Sequence, residues 1–404
     1  MSSGLHDEVE ALYPELFDVF ADLHRHPEIG FEEHRTTARV VALLEEAGLR
    51  TRTSDRVTGA VGVLENGTGP VVALRADIDA LPIAERTGLA YSSDTVERTG
   101  PPAMHACGHD IHTTSLVGAA RILARRRDEW SGTVIAVAQP AEELGEGARR
   151  LIASRLLEGL PVPDVVLGQH VGGRGDHLFT SRAGVYEAGQ RNWRVTVRAS
   201  GGHAAGPHRA INPLGVLAQL VLRAQAIVGA SVPAGEKAVL VPTTVHGGIG
   251  SNVIPSEAAA TFCARALSDE TLDVIESALE RQARGLAEAE GGSIEIERFN
   301  VFPLNVNDDA ALGRAVEALR GEFGEDAYAE TEAILGSEDF GELPAYWRAP
   351  SAYWHFDPGV SPAVADADRA RAGHSPEFAP DPEVALRRGT RALAATALEF
   401  LGRG

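Results

Sequence analysis

The sequence predicts an α/β fold, a mixed and mostly parallel sheet flanked by helices, with a second and smaller α/β unit inserted into it. Three observations carry this. The chain has 404 residues, beyond the size at which single cores stop growing. Over roughly the first 185 residues, helical periodicity alternates with short apolar runs, the pattern of a largely parallel sheet. From Gln190 onward the order of elements changes to βαββαβ, the ferredoxin-like split motif, compact enough to fold as an insertion.

Taken in order, helices fit residues 5–24, 34–48, 113–127 and 145–158, with short apolar runs at 59–64, 71–74, 133–138 and 165–168. Such runs read as strands buried on both faces. The inserted unit has strands at 193–199, 237–246, 258–265 and 293–298 and helices at 211–230 and 268–291. After Asn305 the alternation resumes, and it ends in a helix that Asp381 caps with Pro382 at its first position. The alanine-rich stretch 363–372 reads as a loop. The expected organisation is one discontinuous domain, 1–188 with 301–404, carrying an inserted domain at 189–300.

Composition excludes several classes. Apolar residues are 44% and charged residues 23%, ordinary globular values. The net charge of −20 repels a phosphate backbone, and no basic stripe offsets it, so nucleic acid is not an expected partner. No apolar run is read as approaching the roughly 20 residues of a membrane span. The first 16 residues are acidic and helical in pattern rather than signal-like, which points to the cytoplasm. Cys107 and Cys263 are too few for a disulfide framework.

The chemistry concentrates at the carboxyl ends of the expected strands, where open α/β sheets bind ligands. Residues 104–112 read Met-His-Ala-Cys-Gly-His-Asp-Ile-His and pack thiol and imidazole donors into one turn. A lone cysteine is usually a small hydrophobe and a lone histidine a satisfied polar group, so the cluster alone does not decide. Glu142 and Glu143 follow the strand 133–138 and Pro140. On an exposed helix such a pair is a solvated face; after an apolar strand, one carboxylate can bind a cation while its neighbour takes a proton. His170 ends the next strand, and His374 lies in a turn before the last helix. Together these donors suit Zn²⁺, Mn²⁺, Co²⁺ or Ni²⁺.

With these residues in view, the chain resembles the amidohydrolases related to aminoacylase, which include N-acyl-amino-acid amidohydrolases, hippurate hydrolase and plant hydrolases of indole-acetyl amino acids. The resemblance runs through 22–33, 73–82, 105–112, 139–143, 201–208, 250–255, 336–340 and 374–376. It implies two divalent metal ions held by Cys107, His109, Glu143, His170 and His374, with Glu142 outside the ligand set as general base. Where related dipeptidases carry a His-x-Asp ligand motif, this chain reads Ala76-Asp77-Ile78-Asp79. The resemblance therefore assigns Asp79 to orienting ligands rather than binding metal.

The inserted domain resembles the family's lid, which also forms a homodimer interface. His203 matches a lid histidine that reaches a neighbouring active site, and Asn252 and Arg265 match residues that grip the substrate carboxylate. The chain departs from the family at Phe262-Cys263-Ala264 and in the aromatic loop 352–358. The implied reaction is hydrolysis of an N-acyl amino acid to a carboxylic acid and a free amino acid. A metallocarboxypeptidase acting on peptide-like substrates uses the same chemistry and is the alternative. A thiol hydrolase with Cys107 as nucleophile leaves Glu142, Glu143, His170 and His374 without roles.

Overall fold

The computed structural model describes residues 4–95, 100–172, 177–364 and 366–403. The chain forms two compact units: Met1–Tyr186 with Val306–Glu332 and Asp339–Gly404, and Glu187–Asn305 with Ala333–Glu338.

The first unit is built on a mixed sheet whose centre is parallel. Trp130–Gln139, Val71–Asp77, Val165–Val171 and Ser351–Phe356 lie side by side in that order, all parallel. Antiparallel Ala60–Asn66 and Arg50–Arg52 extend one edge. The alternation of the central strands shows why they are apolar throughout: Val72, Leu74, Val134 and Ala136 face one core, while Ala73, Ile135 and Val137 face another. On the first face pack the helices Leu5–Arg25, His109–Arg125 and Pro382–Phe400, burying Leu12, Leu16, Leu116, Ala120, Leu386 and Leu393. The last helix is capped by Asp381, which accepts from the Glu383 N–H at 3.0 Å.

Three local expectations are corrected. The strands expected at 71–74, 133–138 and 165–168 continue to Asp77, Gln139 and Val171, because the polar residues that interrupt the apolar runs are themselves buried and paired. The helix expected at 113–127 spans His109–Arg125, so His109 and His112 stand in its first turn. The stretch 363–372 holds a short helix, Ala367–Arg371, capped by Asp366.

The second unit has a four-stranded antiparallel sheet ordered Ala238–Gly247, Glu257–Ala266, Gly189–Arg198, Ser293–Phe302. In chain order the spatial arrangement is 2-3-1-4, as the βαββαβ pattern requires. Trp193, Val195, Val197, Ala260, Phe262 and Ala264 meet the helices Pro213–Ser231 and Asp269–Glu290 across one core. Asn212 and Ser268 cap these helices by accepting from the N–H groups of Leu214 and Thr271. One expectation fails here: Pro213–Ser231 is long and apolar enough to cross a membrane by length and composition. Val216, Leu217, Leu220, Ala224 and Ile227 are nonetheless buried against the sheet of the same unit.

Candidate metal centre

Parallel strands bring their carboxyl ends to one edge, and there the candidate residues gather. Gly108 has φ 84°, and a Cβ on it would stand 2.4 Å from Val171 Cγ2, so only glycine lets the turn carry Cys107 and His109 against the end of the neighbouring strand. His374, at φ 60°, is pinned when its N–H donates to the Ala106 carbonyl at 2.8 Å. Glu142 and Glu143 open a 3₁₀ turn, Glu142–Leu144, entered through Ala141 at φ 49° and left through Gly145 at φ 63°.

Cys107, His109, Glu142, Glu143, His170 and His374 converge in overlapping groups whose donor atoms lie within 4.8 Å of one another. His170 Nδ1 donates to the Val171 carbonyl at 2.5 Å, which leaves Nε2 as the lone-pair nitrogen, 3.4 Å from Cys107 Sγ. His109 Nδ1 donates to the Asp79 carbonyl and carboxylate at 3.0 and 3.1 Å. Its buried Nε2 has no hydrogen-bond partner and stands 3.8 Å from Glu142 Oε2. His374 Nε2 lies 3.3 Å from Glu143 Oε1.

The electrostatics point the same way. Hydrogen bonding to Cys107 and Glu143 raises the His374 imidazole to about 10. Burial pushes Glu143 up, but His374 and His109 outweigh it and hold the carboxyl below its ordinary value. Burial drives His170 well below the usual imidazole range, with His112 and His355 adding to it. Acids and bases thus hold one another's protons around a point where a divalent cation would replace them. The orphaned His109 nitrogen fits this, since a buried imidazole lone pair with no donor is an open ligand position for a cation.

Beneath these donors lies a buried frame. Asp79 joins two of them, one oxygen on His109 and the other accepting the Glu143 N–H at 3.0 Å. His112 is fully engaged: Nδ1 donates to Asp77 at 2.6 Å and Nε2 accepts the Val171 N–H at 2.9 Å. Arg75 donates to Gln139, Asp77 and Asp339, and Asp339 also accepts from Gln139 Nε2 and the Ala148 N–H. His24 donates to Asp110 and Glu85 at 2.6 and 3.2 Å. Although burial opposes its charge, those carboxylates raise it to about 10. His105 is buried, and burial lowers it to about 4.

The sequence alone assigns no work to most of these residues, because polar side chains within strands carry no sign of their partners. Asp339→Ala, which strips an acceptor from the buried Arg75, is expected to lower unfolding stability by about 3–5 kcal/mol, measured as a shift in the urea midpoint.

His203, Asn252 and Arg265 all lie in the second unit. Gly202–His203 pairs with Val253–Ile254, and the Ala204 N–H donates to the Asn252 carbonyl at 3.0 Å, so exposed His203 and Asn252 share one tip. Arg265 pairs with Gln190 and Val239 at the far end of the sheet, where its guanidinium donates to the Leu335 carbonyl at 2.7 Å. The three therefore do not form one cluster within that unit. In the first unit, a pocket of about 110 Å³ opens beside Cys107 and His170, walled by Asp357, Pro358, Gly359 and Phe378. His355 stands next to His170 across the parallel pair, their rings 5.5 Å apart.

Residues 73–399 match the model of peptidase family M20/M25/M40. The chain is 34% identical over 337 residues to the N-acetylcysteine deacetylase of Bacillus subtilis, covering 82% of this chain and 85% of that one. It is 34% identical over 390 residues to the IAA-amino acid hydrolase ILR1-like 4 of Arabidopsis thaliana, covering 94% and 84%. Among solved structures, it is similar to the Bacillus subtilis YXEP protein, a dinuclear metal binding peptidase of the M20 family, with a TM-score of 0.74, 28% identity and coverage of 97% and 100%.

Proposed function

The chain belongs to peptidase family M20/M25/M40, and we propose that it is a two-metal amidohydrolase that cleaves N-acyl amino acids to a carboxylic acid and a free amino acid. The observation that carries this is the convergence of Cys107, His109, Glu143, His170 and His374 around the unpartnered His109 Nε2, with Glu142 beside it. Those five residues would hold the two ions, of which Zn²⁺, Mn²⁺, Co²⁺ and Ni²⁺ suit a mixed thiolate, imidazole and carboxylate set. When bound, such ions would lower the pKa of a bound water towards about 7 and polarise a carbonyl.

The protein supplies the rest. Glu142 takes the proton of the attacking water and returns it to the leaving amine. Asp79 holds the His109 ring and the Glu143 backbone so that both donors keep their orientation. Arg265 and Asn252, which lie apart within a single unit, bind the substrate carboxylate from different copies of the chain, and His203 donates to the oxyanion as the carbonyl becomes tetrahedral.

The working form is a homodimer made through the second unit, in the cytoplasm. Support for the dimer is apolar surface on that unit: Leu222 is 84% exposed and Ile249 88%. Ala238–Gly247 is an edge strand of its sheet, and edge pairing between copies removes such a liability.

The test is a hydrolysis screen of acetyl, benzoyl, indole-acetyl and long-chain acyl derivatives of several amino acids with metal-replete protein. Chelation is expected to abolish the activity and Zn²⁺, Mn²⁺ or Co²⁺ to restore it, while thiol alkylation of the loaded enzyme is slow because a ligand thiolate is not a free nucleophile. Immediate inactivation by alkylation with indifference to chelation would return the thiol-hydrolase reading. Release of C-terminal residues from peptides without cleavage of acyl amino acids would favour the carboxypeptidase.

A further inference from the structure

The segment 22–33 has no task in the reaction, yet its buried carboxylate lies against the backbone that carries Glu142. Glu28 accepts the N–H groups of Arg35 and Thr36 at 3.0 and 2.7 Å, capping the helix His34–Glu46. Its carbonyl accepts the Ala80 N–H at 2.8 Å, which sets the segment beside Asp79. Glu33 is fully buried. One oxygen accepts the Ala141 N–H at 2.7 Å and the other the Thr58 hydroxyl at 2.5 Å.

A carboxylate buried this completely loses its hydration, and burial with Asp79 nearby lifts it to about 7. Such a group persists in a core when its hydrogen bonds do something that an apolar residue cannot. Ala141 is where that need arises. It occupies the left-handed region without being glycine, between Pro140 and the Glu142–Leu144 turn. Rotation of the Pro140–Ala141 peptide would turn its N–H away and swing Glu142 and Glu143 with it. The turn is thus anchored at alternate residues by two carboxylates, Glu33 on the Ala141 N–H and Asp79 on the Glu143 N–H. Glu142 lies between the two anchors. Close packing agrees: a Cβ on Gly30 would stand 3.1 Å from the Ala141 Cβ.

We propose that Glu33 is a positioning residue that fixes the Ala141 backbone and through it aims Glu142 and Glu143. The proposal rests on the functional reading above. What the turn needs is an acceptor at this point, not a negative charge, so Glu33→Gln keeps the function through its amide oxygen and Glu33→Met loses it. A misplacement of about 1 Å costs on the order of 10²-fold. Glu33→Met is therefore expected to lower kcat about 100-fold with KM changed less than about 3-fold, while Glu33→Gln stays within about 5-fold of wild type.

A second readout does not depend on turnover. Loss of a partner that orients a ligand typically weakens metal binding by about 10–100-fold, so competition with a metallochromic chelator is expected to show weaker binding in Glu33→Met and wild-type binding in Glu33→Gln. Thr58→Val removes the other hydrogen bond and leaves Ala141 held, so both readouts are expected to stay near wild type. If Glu33→Met does not fold, Glu33→Asp, which retracts the acceptor by one methylene, is expected to shift both in the same direction.

The proposal is overturned if Glu33→Gln is as impaired as Glu33→Met, if Thr58→Val matches Glu33→Met, or if a folded Glu33→Met keeps wild-type kcat and metal affinity. Should the wild type hydrolyse no N-acyl amino acid, the functional reading fails, and the chelator competition still decides the role of Glu33.

Discussion

Glu142→Gln is expected to lose turnover by about 10²–10⁴-fold, the usual contribution of a positioned general base, while keeping its metal and its affinity for substrate. Glu142 is 5% exposed and its carboxylate stands 3.8 Å from the unpartnered His109 nitrogen, sharing a donor group with His109 and Glu143 but not with Cys107 and His374. An amide of the same shape fills the space but cannot take a proton from water. Glu143→Gln is expected to behave differently. Glu143 shares a donor group with Cys107 and His374, and its backbone is tied to Asp79, so its loss is expected to empty one ion position. Metal stoichiometry by atomic spectroscopy, set beside kcat for the two variants, separates the roles. Turnover surviving in metal-replete Glu142→Gln rules out the general-base assignment.

That these neighbours differ could be read from the sequence only as a pattern: two acids after an apolar strand cannot both face the same way. Why they point as they do is a long-range matter. Ala141 is held by Glu33, 108 positions away in the chain, and no periodicity announces such a contact. Strand ends escape the sequence pattern for a related reason. Asp77 and Gln139 look like breaks in apolar runs, yet they extend the strands because Arg75 and Asp339 satisfy them in the interior. Local signals were clear where local physics decides: the Asp381 cap with Pro382, the apolar run 133–138, and the βαββαβ order of the second unit. Arg265 and Asn252 were grouped by resemblance to one task. Their separation within the second unit follows from strand register, which spacing alone does not reveal.

The second large effect is expected from His203→Ala, a loss of turnover of about 10²–10³-fold, the size seen when one oxyanion donor is removed, with little change in metal content. His203 is exposed on a two-residue strand, its Nδ1 accepting the Ala205 N–H at 3.0 Å. That bond leaves the proton on Nε2, which can act as a donor. In isolation, glycines beside an exposed histidine describe an ordinary surface turn. Against this stands the apolar surface of the same unit, where Leu222, Val241, Val245 and Ile249 lie open to solvent, with Val241 and Val245 on the edge strand Ala238–Gly247. A homodimer that covers these residues allows the His203 tip of one copy to serve the metal centre of the other. A donor supplied in this way meets charge that develops only as the carbonyl is attacked, so it acts on kcat more than on binding. Mixing His203→Ala chains with Glu142→Gln chains tests the arrangement. Each parent homodimer is nearly inactive, but a mixed dimer holds one site with Glu142 from its own chain and His203 from its neighbour. Recovery towards half the wild-type rate per mixed dimer is expected, whereas no recovery after verified subunit exchange means that His203 serves its own chain or no site at all.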